Sequence, residues 1–167
     1  MKTIYLIRHA KSSIDEVGVS DFERCLSKRG KKDLPFMANR LKEFGIKPDL
    51  ILSSPAKRAK KTAKEIATVI GYEEKNISFE DSLYDSSYTN YRYLLDSLDD
   101  DLNSIFIVAH NPTLTDVGEK LSGAILTNIP TCSIVAIEFA VSSFKDIKEE
   151  SGKILFFDYP KKHNISH

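Results

Sequence analysis

The sequence contains no tryptophan and only two cysteines, Cys25 and Cys132, among its 167 residues. The cysteines lie far apart and form no CxxC pair, which argues against a disulfide framework and against a zinc cluster. No apolar stretch approaches the roughly 18 residues that a membrane-spanning helix needs, and no signal-peptide pattern precedes the first apolar run. We therefore expect a cytoplasmic protein that does not bind a membrane.

The sequence also lacks an excess of charge, since 24 Lys and Arg residues balance 24 Asp and Glu residues. A balanced chain has no net field to gather nucleic acid, so any anion must be bound at a local site. The length and the 41% hydrophobic content are ordinary for one globular domain with a substantial core. We predict a single domain over residues 1–160, followed by a frayed tail at residues 161–167.

Apolar runs alternate with amphipathic segments along most of the chain. The runs predict strands at residues 4–7, 49–53, 76–79, 104–109, 132–139 and 153–158. The segments between them predict helices at residues 27–45, 56–70, 88–98 and 113–121. Pro35 should kink or split the first helix, and Pro55 should occupy the first position of the second. This order predicts an α/β fold, a three-layer α/β/α sandwich whose mostly parallel central sheet has an antiparallel edge strand.

Basic residues and histidines follow three of the predicted strands. Arg8-His9 follows the first strand, Ser53-Ser54 ends the second with Arg58 one turn into the next helix, and His110 follows the fourth. Because parallel strands point their carboxyl ends to one edge of a sheet, we expect these residues to meet there. Two arginines and two histidines at one edge predict an anion site, since the guanidinium group binds phosphate through paired hydrogen bonds.

Two histidines in one anion site can divide a phosphoryl transfer between them. A neutral imidazole can attack phosphorus and form a phosphohistidine intermediate. A second imidazole, held protonated, can stabilise the charge that spreads over the phosphoryl oxygens. An isolated histidine is more often structural, but His9 and His110 both follow buried runs directly. Phosphate held by arginine and histidine needs no cation, so we expect neither a metal ion nor a cofactor.

Three segments in this order resemble the histidine phosphatase superfamily, the phosphoglycerate mutase-like proteins. They are LIRHA, SSPAKRAKKTA and IVAHNP, and the resemblance runs from residue 4 to about residue 140. The short length and the segments ERCLSKRG and SLYDSSY make the chain most similar to the SixA-like phosphohistidine phosphatases. Ala10 replaces the glycine that usually follows the first histidine of the family.

The resemblance implies a role for each residue of the predicted site. It implies that His9 is the phosphorylated nucleophile and that three further catalytic residues bind the phosphoryl group with it: Arg8, Arg58 and His110. It also implies that Arg24 lies at the rim of the phosphate site or within it, and that Asn111 contributes to substrate binding. Thr131 and Ser133 could bind phosphate as well, or could simply pack at the start of a strand.

The general acid of the family has no obvious counterpart in this chain. Relatives that act on phosphate esters place a glutamate in the loop after the third strand, where this sequence offers Glu80, Asp81 and Asp85. We take Asp81 as the candidate acid, with a solvated acidic loop as the alternative. An alkoxide leaving group must be protonated as it departs. The imidazole of a phosphohistidine can leave as a neutral ring, so a weak or missing acid favours a P–N substrate.

Three functions remain open at this point. The first is a metal-independent phosphatase for phosphohistidine in a protein. The second is a phosphatase for small phosphate esters, with Asp81 or Glu80 as acid, and the third is a catalytically weak phospho-binding module. The expected partner is a phosphorylated protein or a small phosphorylated substrate. A basic helix face could steer an acidic partner protein or could simply be solvated: Lys57, Lys60, Lys61 and Lys64.

Overall fold

The computed structural model describes residues 1–163. Within them the strands are β1 (Lys2–Arg8), β2 (Leu50–Ser53), β3 (Ser78–Phe79), β4 (Ser104–Ala109), β5 (Ile134–Phe139) and β6 (Lys153–Asp158). The helices are α1 (Lys28–Glu43), α2 (Lys57–Ile70), α3 (Tyr88–Asp96) and α4 (Thr113–Ser122). Short 3-10 helices include Asp21–Glu23, Glu74–Asn76, Asp81–Leu83 and Pro160–His163. No helix among these residues is long and apolar enough to cross a membrane.

The six strands form one sheet in the order β3-β2-β4-β1-β5-β6. The pairs β1–β4, β2–β4 and β2–β3 are parallel, whereas β5 pairs antiparallel with β1 and with the edge strand β6. The predicted mostly parallel sheet with an antiparallel edge is therefore confirmed. Arg8 pairs with Ala109, and Ser53 pairs with Val108, so β1, β2 and β4 end at nearly the same level.

Helices cover both faces of the sheet and make the three predicted layers. Side chains alternate between the faces of a strand. Ile7 of β1 accordingly packs with the α1 and α2 side chains Leu34, Met37, Ala63 and Ile66. Leu6 packs on the opposite face with the α3 and α4 side chains Tyr91, Leu95, Leu114 and Val117. Burial on both faces explains why the central strands are continuous apolar runs.

The helix boundaries bear on the predictions for Ser27, Pro35 and Pro55. Ser27 caps α1 as predicted, because its side chain accepts a hydrogen bond from the Gly30 N–H. Pro35 does not split this helix, which is continuous from Lys28 to Glu43 and has a fully buried apolar face. Helix α2 begins at Lys57, so Pro55 precedes the helix instead of occupying its first position. The intervening Ala56 is extended, and its N–H donates to Ser54 Oγ.

Three further boundaries differ from the prediction. Strand β3 contains only two residues, because Glu74–Asn76 forms a 3-10 helix where the strand was predicted to start. Strand β5 begins at Ile134, two residues late, because Cys132 has a left-handed φ of 60° that extended pairing does not tolerate. Part of the predicted frayed tail, residues 161–163, belongs to a 3-10 helix, and residues 164–167 lie outside the described residues.

Candidate active site

A cleft of about 560 Å³ opens at the carboxyl edge of the parallel strands. Six of the seven residues predicted for the site line it: Arg8, His9, Arg24, Arg58, His110 and Asn111. Asp21, Tyr84, Asp85 and Thr131 line it as well. His9 directly follows β1 and His110 directly follows β4, and these two strands are neighbours in the sheet. The ring centroids of the two histidines are 5.0 Å apart.

His9 is held as a neutral imidazole with one defined tautomer. Its side chain is buried, and Nδ1 lies 2.7 Å from the carbonyl oxygen of Ala10. Because a carbonyl oxygen can only accept, Nδ1 carries the proton and Nε2 keeps its lone pair. Burial, with smaller contributions from nearby cations, lowers the pKa of His9 to about 3. Nε2 is therefore available as a nucleophile at neutral pH.

The backbone around His9 is tied to neighbouring elements. The His9 N–H donates to the carbonyl of Ala109, and the Cys132 N–H lies 3.1 Å from the His9 carbonyl. The Ala10 N–H donates to Thr62 Oγ1 of α2 at 3.0 Å, and that hydroxyl donates to the Arg58 carbonyl at 2.8 Å. One threonine therefore connects the segment after His9 to the helix turn that carries Arg58.

His110 is also neutral in this environment, which corrects the expectation that it is held protonated. Burial, followed by the neighbouring Arg58, lowers the pKa of His110 to about 4. Its Nε2 lies 2.7 Å from Ser54 Oγ, and its Nδ1 is buried without a hydrogen-bond partner in the described part of the chain. An anion beside the ring would favour the protonated form. His110 can thus gain a proton when an anion binds.

Arg8 and Arg58 are anchored in the same manner. Arg8 Nη1 donates to the Ile129 carbonyl at 2.9 Å, and Arg58 Nη1 donates to the Asp21 carbonyl at 2.7 Å. The Nε of each arginine is buried and has no hydrogen-bond partner among residues 1–163. Burial and the charge of Arg58 lower the pKa of Arg8. Buried polar groups are normally paired, so the unpaired Nε groups of two arginines in one cleft indicate an oxyanion site.

Asp21 was not predicted for the site, yet its carboxylate joins three cleft residues. Oδ2 accepts from Arg58 Nη2 at 3.0 Å and from the Tyr84 hydroxyl at 2.6 Å, and Oδ1 accepts from Arg24 Nη2 at 2.8 Å. These hydrogen bonds, that from Tyr84 above all, hold the pKa of Asp21 well below its usual range. The carboxylate is therefore ionised at neutral pH.

Arg24 lies at the rim of the cleft and faces Asp21. Its Nε and Nη2 both donate to Asp21 Oδ1, and its Nη1 donates to the Ser13 carbonyl at 3.2 Å. Every nitrogen of this guanidinium group therefore has a partner within the protein. The geometry favours a positioning role for Arg24 through Asp21, and direct substrate binding by Arg24 remains a prediction.

Tyr84 lines the cleft and makes contacts through both its ring and its hydroxyl. Its ring packs edge-on against Phe22 at 5.0 Å and against His110 at 5.6 Å between centroids, while its hydroxyl donates to Asp21. The only sequence signal for this network was an aspartate three positions before Arg24 in a loop. That signal cannot identify Tyr84, which is remote in sequence.

Asn111 lines the cleft, but its amide is occupied by protein partners. Nδ2 donates to the Ile129 carbonyl at 2.8 Å, and Oδ1 accepts from the Thr115 N–H at 3.1 Å. The Ile129 carbonyl also anchors Arg8, so Asn111 helps to hold that carbonyl in place. These contacts favour a positioning role, and contact between Asn111 and the substrate remains a prediction.

The structure does not bring Asp81 into the cleft. Asp81 is exposed at the start of a 3-10 helix whose third residue, Leu83, is buried, and this turn directs the aspartate away from the lining. Glu80 is also absent from the lining, and its Oε1 accepts from Ser78 Oγ at 2.7 Å. The carboxylate of this loop that does line the cleft is Asp85.

Of the two strand-start residues considered for phosphate binding, Thr131 lines the cleft and Ser133 does not. Ser133 is fully buried, and its Oγ has no hydrogen-bond partner in the protein. Within residues 1–163, no cluster of three or more His, Cys, Asp or Glu side chains could hold a metal ion. The cleft as a whole can bind a tetrahedral oxyanion beside a neutral imidazole.

Comparison with known proteins gives a consistent picture. Residues 4–120 match the family model of the histidine phosphatase superfamily (branch 1). The chain is 30% identical over 159 residues to an uncharacterized chloroplastic protein of Arabidopsis thaliana. This alignment covers 90% of this chain and 72% of that protein. It is also 36% identical over 74 residues to the mitochondrial serine/threonine-protein phosphatase Pgam5 of Drosophila ananassae. That alignment covers 44% of this chain and 25% of that protein.

Two solved structures share the fold over nearly their whole length. The first is that of a protein assigned as the phosphohistidine phosphatase SixA of Agrobacterium tumefaciens, with a TM-score of 0.82, 25% identity, and coverage of 95% of this chain and 98% of that one. The second is the protein histidine phosphatase SixA complexed with tungstate, with a TM-score of 0.82, 20% identity, and coverage of 96% and 99%.

Proposed function

The chain belongs to the histidine phosphatase superfamily, and we propose that it hydrolyses phosphohistidine in a protein through a phosphorylated His9. One observation carries the proposal: a buried neutral His9, with its Nδ1 proton fixed on the Ala10 carbonyl, lies in a cleft with two arginines whose Nε groups are unpaired. Such an arrangement is suited to attack on a bound phosphoryl group.

In the first step, His9 Nε2 attacks phosphorus. The ring nitrogen of the substrate that does not carry the phosphoryl group first takes a proton from solvent. The bond from Nε2 to phosphorus then forms while the P–N bond of the substrate breaks, and the imidazole leaves as a neutral ring. Arg8 and Arg58 hold the phosphoryl oxygens through N–H groups of their guanidinium side chains, which line the cleft. His110, protonated once the anion is bound, stabilises the charge on these oxygens.

In the second step, a water molecule attacks the phosphorylated His9. The oxygen–phosphorus bond forms, the bond to Nε2 breaks, and a water proton passes to the released phosphate. His9 returns to the neutral tautomer that the Ala10 carbonyl selects. The two arginines supply the positive charge that a metal ion would otherwise provide, so the proposed reaction is metal-independent.

The carboxylates of the cleft favour a P–N substrate. Asp21 is ionised and accepts hydrogen bonds from three side chains, so it has no proton to give to a leaving group. An alkoxide needs such a proton, whereas imidazole, with an ordinary pKa near 6.5, can leave without a strong acid. The name of the SixA relatives agrees with this choice.

The second candidate function is hydrolysis of phosphate esters. Asp85, which lines the cleft where Asp81 does not, is the carboxylate that could act as its general acid. The name of the relative Pgam5, a serine/threonine-protein phosphatase, shows that ester substrates occur among similar proteins. A catalytically weak phospho-binding module is the third candidate, and the cytoplasmic location expected from the sequence also remains a prediction.

A substrate panel separates these functions. A histidine-phosphorylated protein and several phosphate monoesters are compared with the wild type and with Asp85→Asn, with and without a metal chelator. We expect turnover of the P–N substrate to exceed that of the esters by at least about a hundredfold, the usual contribution of a general acid. Turnover should persist in the chelator and in Asp85→Asn, and acid-labile phosphate should be trapped on the protein.

The opposite outcomes are equally clear. Ester turnover that matches P–N turnover and disappears in Asp85→Asn would establish the second candidate function. Phosphate binding without turnover of any substrate would establish the third.

A further inference from the structure

A second cavity lies beside the cleft, on the outer side of α2. Its volume is about 310 Å³, and five lysines line it: Lys31, Lys57, Lys60, Lys61 and Lys64. Cys25 and Leu26 contribute the remaining, largely apolar lining. We call this feature the lysine groove. It contains five cations of a chain that is neutral overall, so it concentrates positive charge at one place.

The charges of the groove are only partly compensated. Lys64 Nζ lies 3.5 Å from Glu74 Oε1, and Lys60 Nζ lies over the Phe79 ring at 5.2 Å. The Cys25 thiol, followed by the carboxylates of Glu23 and Glu16, raises the pKa of the exposed Lys57. Within the described part of the chain, Lys31 and Lys61 are exposed and have no ion pair. The groove can therefore accept further negative charge.

Residues of the groove and residues of the cleft are adjacent in the sequence. Arg58 and Arg24, which line the cleft, are the chain neighbours of Lys57 and Cys25, which line the groove. From Lys57 to Lys64 the helix rises by roughly 10 Å, at about 1.5 Å per residue. An extended peptide spans that distance with about three residues. A substrate whose phosphoryl group is in the cleft would therefore place its neighbouring residues over the lysines.

We infer that the lysine groove binds acidic residues that flank the phosphohistidine of the protein substrate. The inference rests on the proposed function, and it specifies which phosphohistidine proteins are preferred. Carboxylates of the substrate pair with the lysines, and the apolar lining at Leu26 packs against the stems of the flanking side chains. Exposed pairs of this kind contribute little singly, but several of them together set the preference among substrates.

Nucleic acid fits the groove less well than an acidic polypeptide. A nucleic-acid footprint is a long basic stripe that neutralises many phosphates, whereas these lysines cover two helical turns.

Two phosphohistidine peptides test the inference. They share one sequence except that the three positions on each side of the phosphohistidine are Glu in one peptide and Gln in the other. For the wild type we expect kcat/KM to be about tenfold higher for the Glu peptide, through a lower KM, since each exposed ion pair gives a factor of roughly 1.5 to 5. Added salt should reduce this preference.

Lysine substitutions test whether the preference for the Glu peptide depends on the lysine groove. The triple variant Lys31→Gln/Lys57→Gln/Lys61→Gln should lose the preference while it hydrolyses the Gln peptide and free phosphohistidine as the wild type does. The matched control is Lys145→Gln/Lys148→Gln, since these exposed lysines flank Ile147 on the opposite face of the sheet. The control variant should keep the preference.

Each remaining outcome decides one of the two proposals. Equal kcat/KM for both peptides, or a preference that survives in the triple variant, overturns the groove inference and leaves the proposed function intact. Hydrolysis of neither peptide overturns the proposed function. In that case the fluorescence anisotropy of labelled, unphosphorylated Glu and Gln peptides still decides the groove. A triple variant that changes only the affinity for RNA or anionic vesicles also overturns it.

Discussion

Asp21 and Arg58 are joined by two hydrogen bonds, from Nη1 to the Asp21 carbonyl at 2.7 Å and from Nη2 to the Asp21 carboxylate at 3.0 Å. Both use the outer edge of the guanidinium group, formed by its two terminal nitrogens. The inner edge, formed by Nε and Nη2, keeps a buried and unpaired Nε. A carboxylate thus lies within a proposed phosphate site and shares Nη2 with the edge that would bind the phosphate.

Replacement of Asp21 by Asn tests whether this carboxylate positions the arginines. We expect Asp21→Asn to lower kcat/KM for a phosphorylated substrate by about tenfold, since charge-assisted hydrogen bonds to Arg58 and Arg24 are weakened by about 1.5 kcal/mol in total. The inhibition constant of inorganic phosphate provides the second readout. Tighter phosphate binding with unchanged kcat would show instead that Asp21 competes with the substrate. Asp85→Asn is the control, because Asp85 lines the cleft without a hydrogen bond to either arginine.

Conservative substitutions distinguish the proposed phosphate ligands, Arg8 and Arg58, from Arg24 at the rim of the cleft. Arg8→Lys and Arg58→Lys should each lower kcat/KM by about a hundredfold and weaken tungstate binding, because lysine cannot offer a paired N–H edge. Arg24→Lys should cost about tenfold or less, because Arg24 faces Asp21 and a lysine can still pair with that carboxylate. Equal losses for all three variants would place Arg24 among the phosphate ligands.

The two histidines can be distinguished by phosphate trapping. His9→Gln should abolish both turnover and the acid-labile label, because His9 Nε2 is the proposed nucleophile. His110→Gln should slow turnover by about a thousandfold, the usual cost of a lost oxyanion partner, and should still acquire some label. Circular dichroism checks that both variants fold. A labelled His9→Gln protein would refute His9 as the nucleophile.

Burial of the two histidines predicts how stability depends on pH. The pKa of His9 is lowered to about 3 and that of His110 to about 4, whereas the unfolded chain titrates near 6.5. Between these values the unfolded state binds more protons, so acidification below about pH 6.5 destabilises the protein. The free energy of unfolding should fall by about 1 kcal/mol per pH unit for each histidine between pH 6 and 4.5.

Urea unfolding at several pH values measures this slope. In this window the carboxylates with lowered pKa, Asp21 and Asp158, contribute little, because their effect begins only as the pH approaches 3.8. His9→Gln should roughly halve the slope, since it removes one of the two titrating groups. An unchanged slope in that variant would show that His9 is not the source.

The residues that could be predicted from the sequence are those positioned by a strand end. Arg8, His9 and His110 directly follow buried apolar runs, and parallel pairing of β1 with β4 is enough to bring them together. Arg58 follows from the same logic one helix turn later. Local patterns and one rule about parallel sheets therefore determine this half of the site.

The other half depends on loop paths that no local pattern reveals. Asp21 and Tyr84 are separated by 63 positions, and tertiary contacts such as the packing of Phe22 against Tyr84 bring them together. The choice of Asp81 failed for the same reason, because a 3-10 turn with Leu83 as its buried residue exposes Asp81 and leaves Asp85 in the lining. Such turns are set by tertiary contacts, which periodicity does not encode.

The central position of β1 in the sheet affects how the active site is lost when the protein unfolds. This strand is paired on both sides, with β4 and β5, and Arg8 and His9 lie at its end with backbone N–H groups bonded to Ser133 and Ala109. Amides of such a strand exchange with solvent only when the whole domain opens. Fraying of the periphery leaves the nucleophile in place, so enzymatic activity should disappear in the same cooperative transition as the fold.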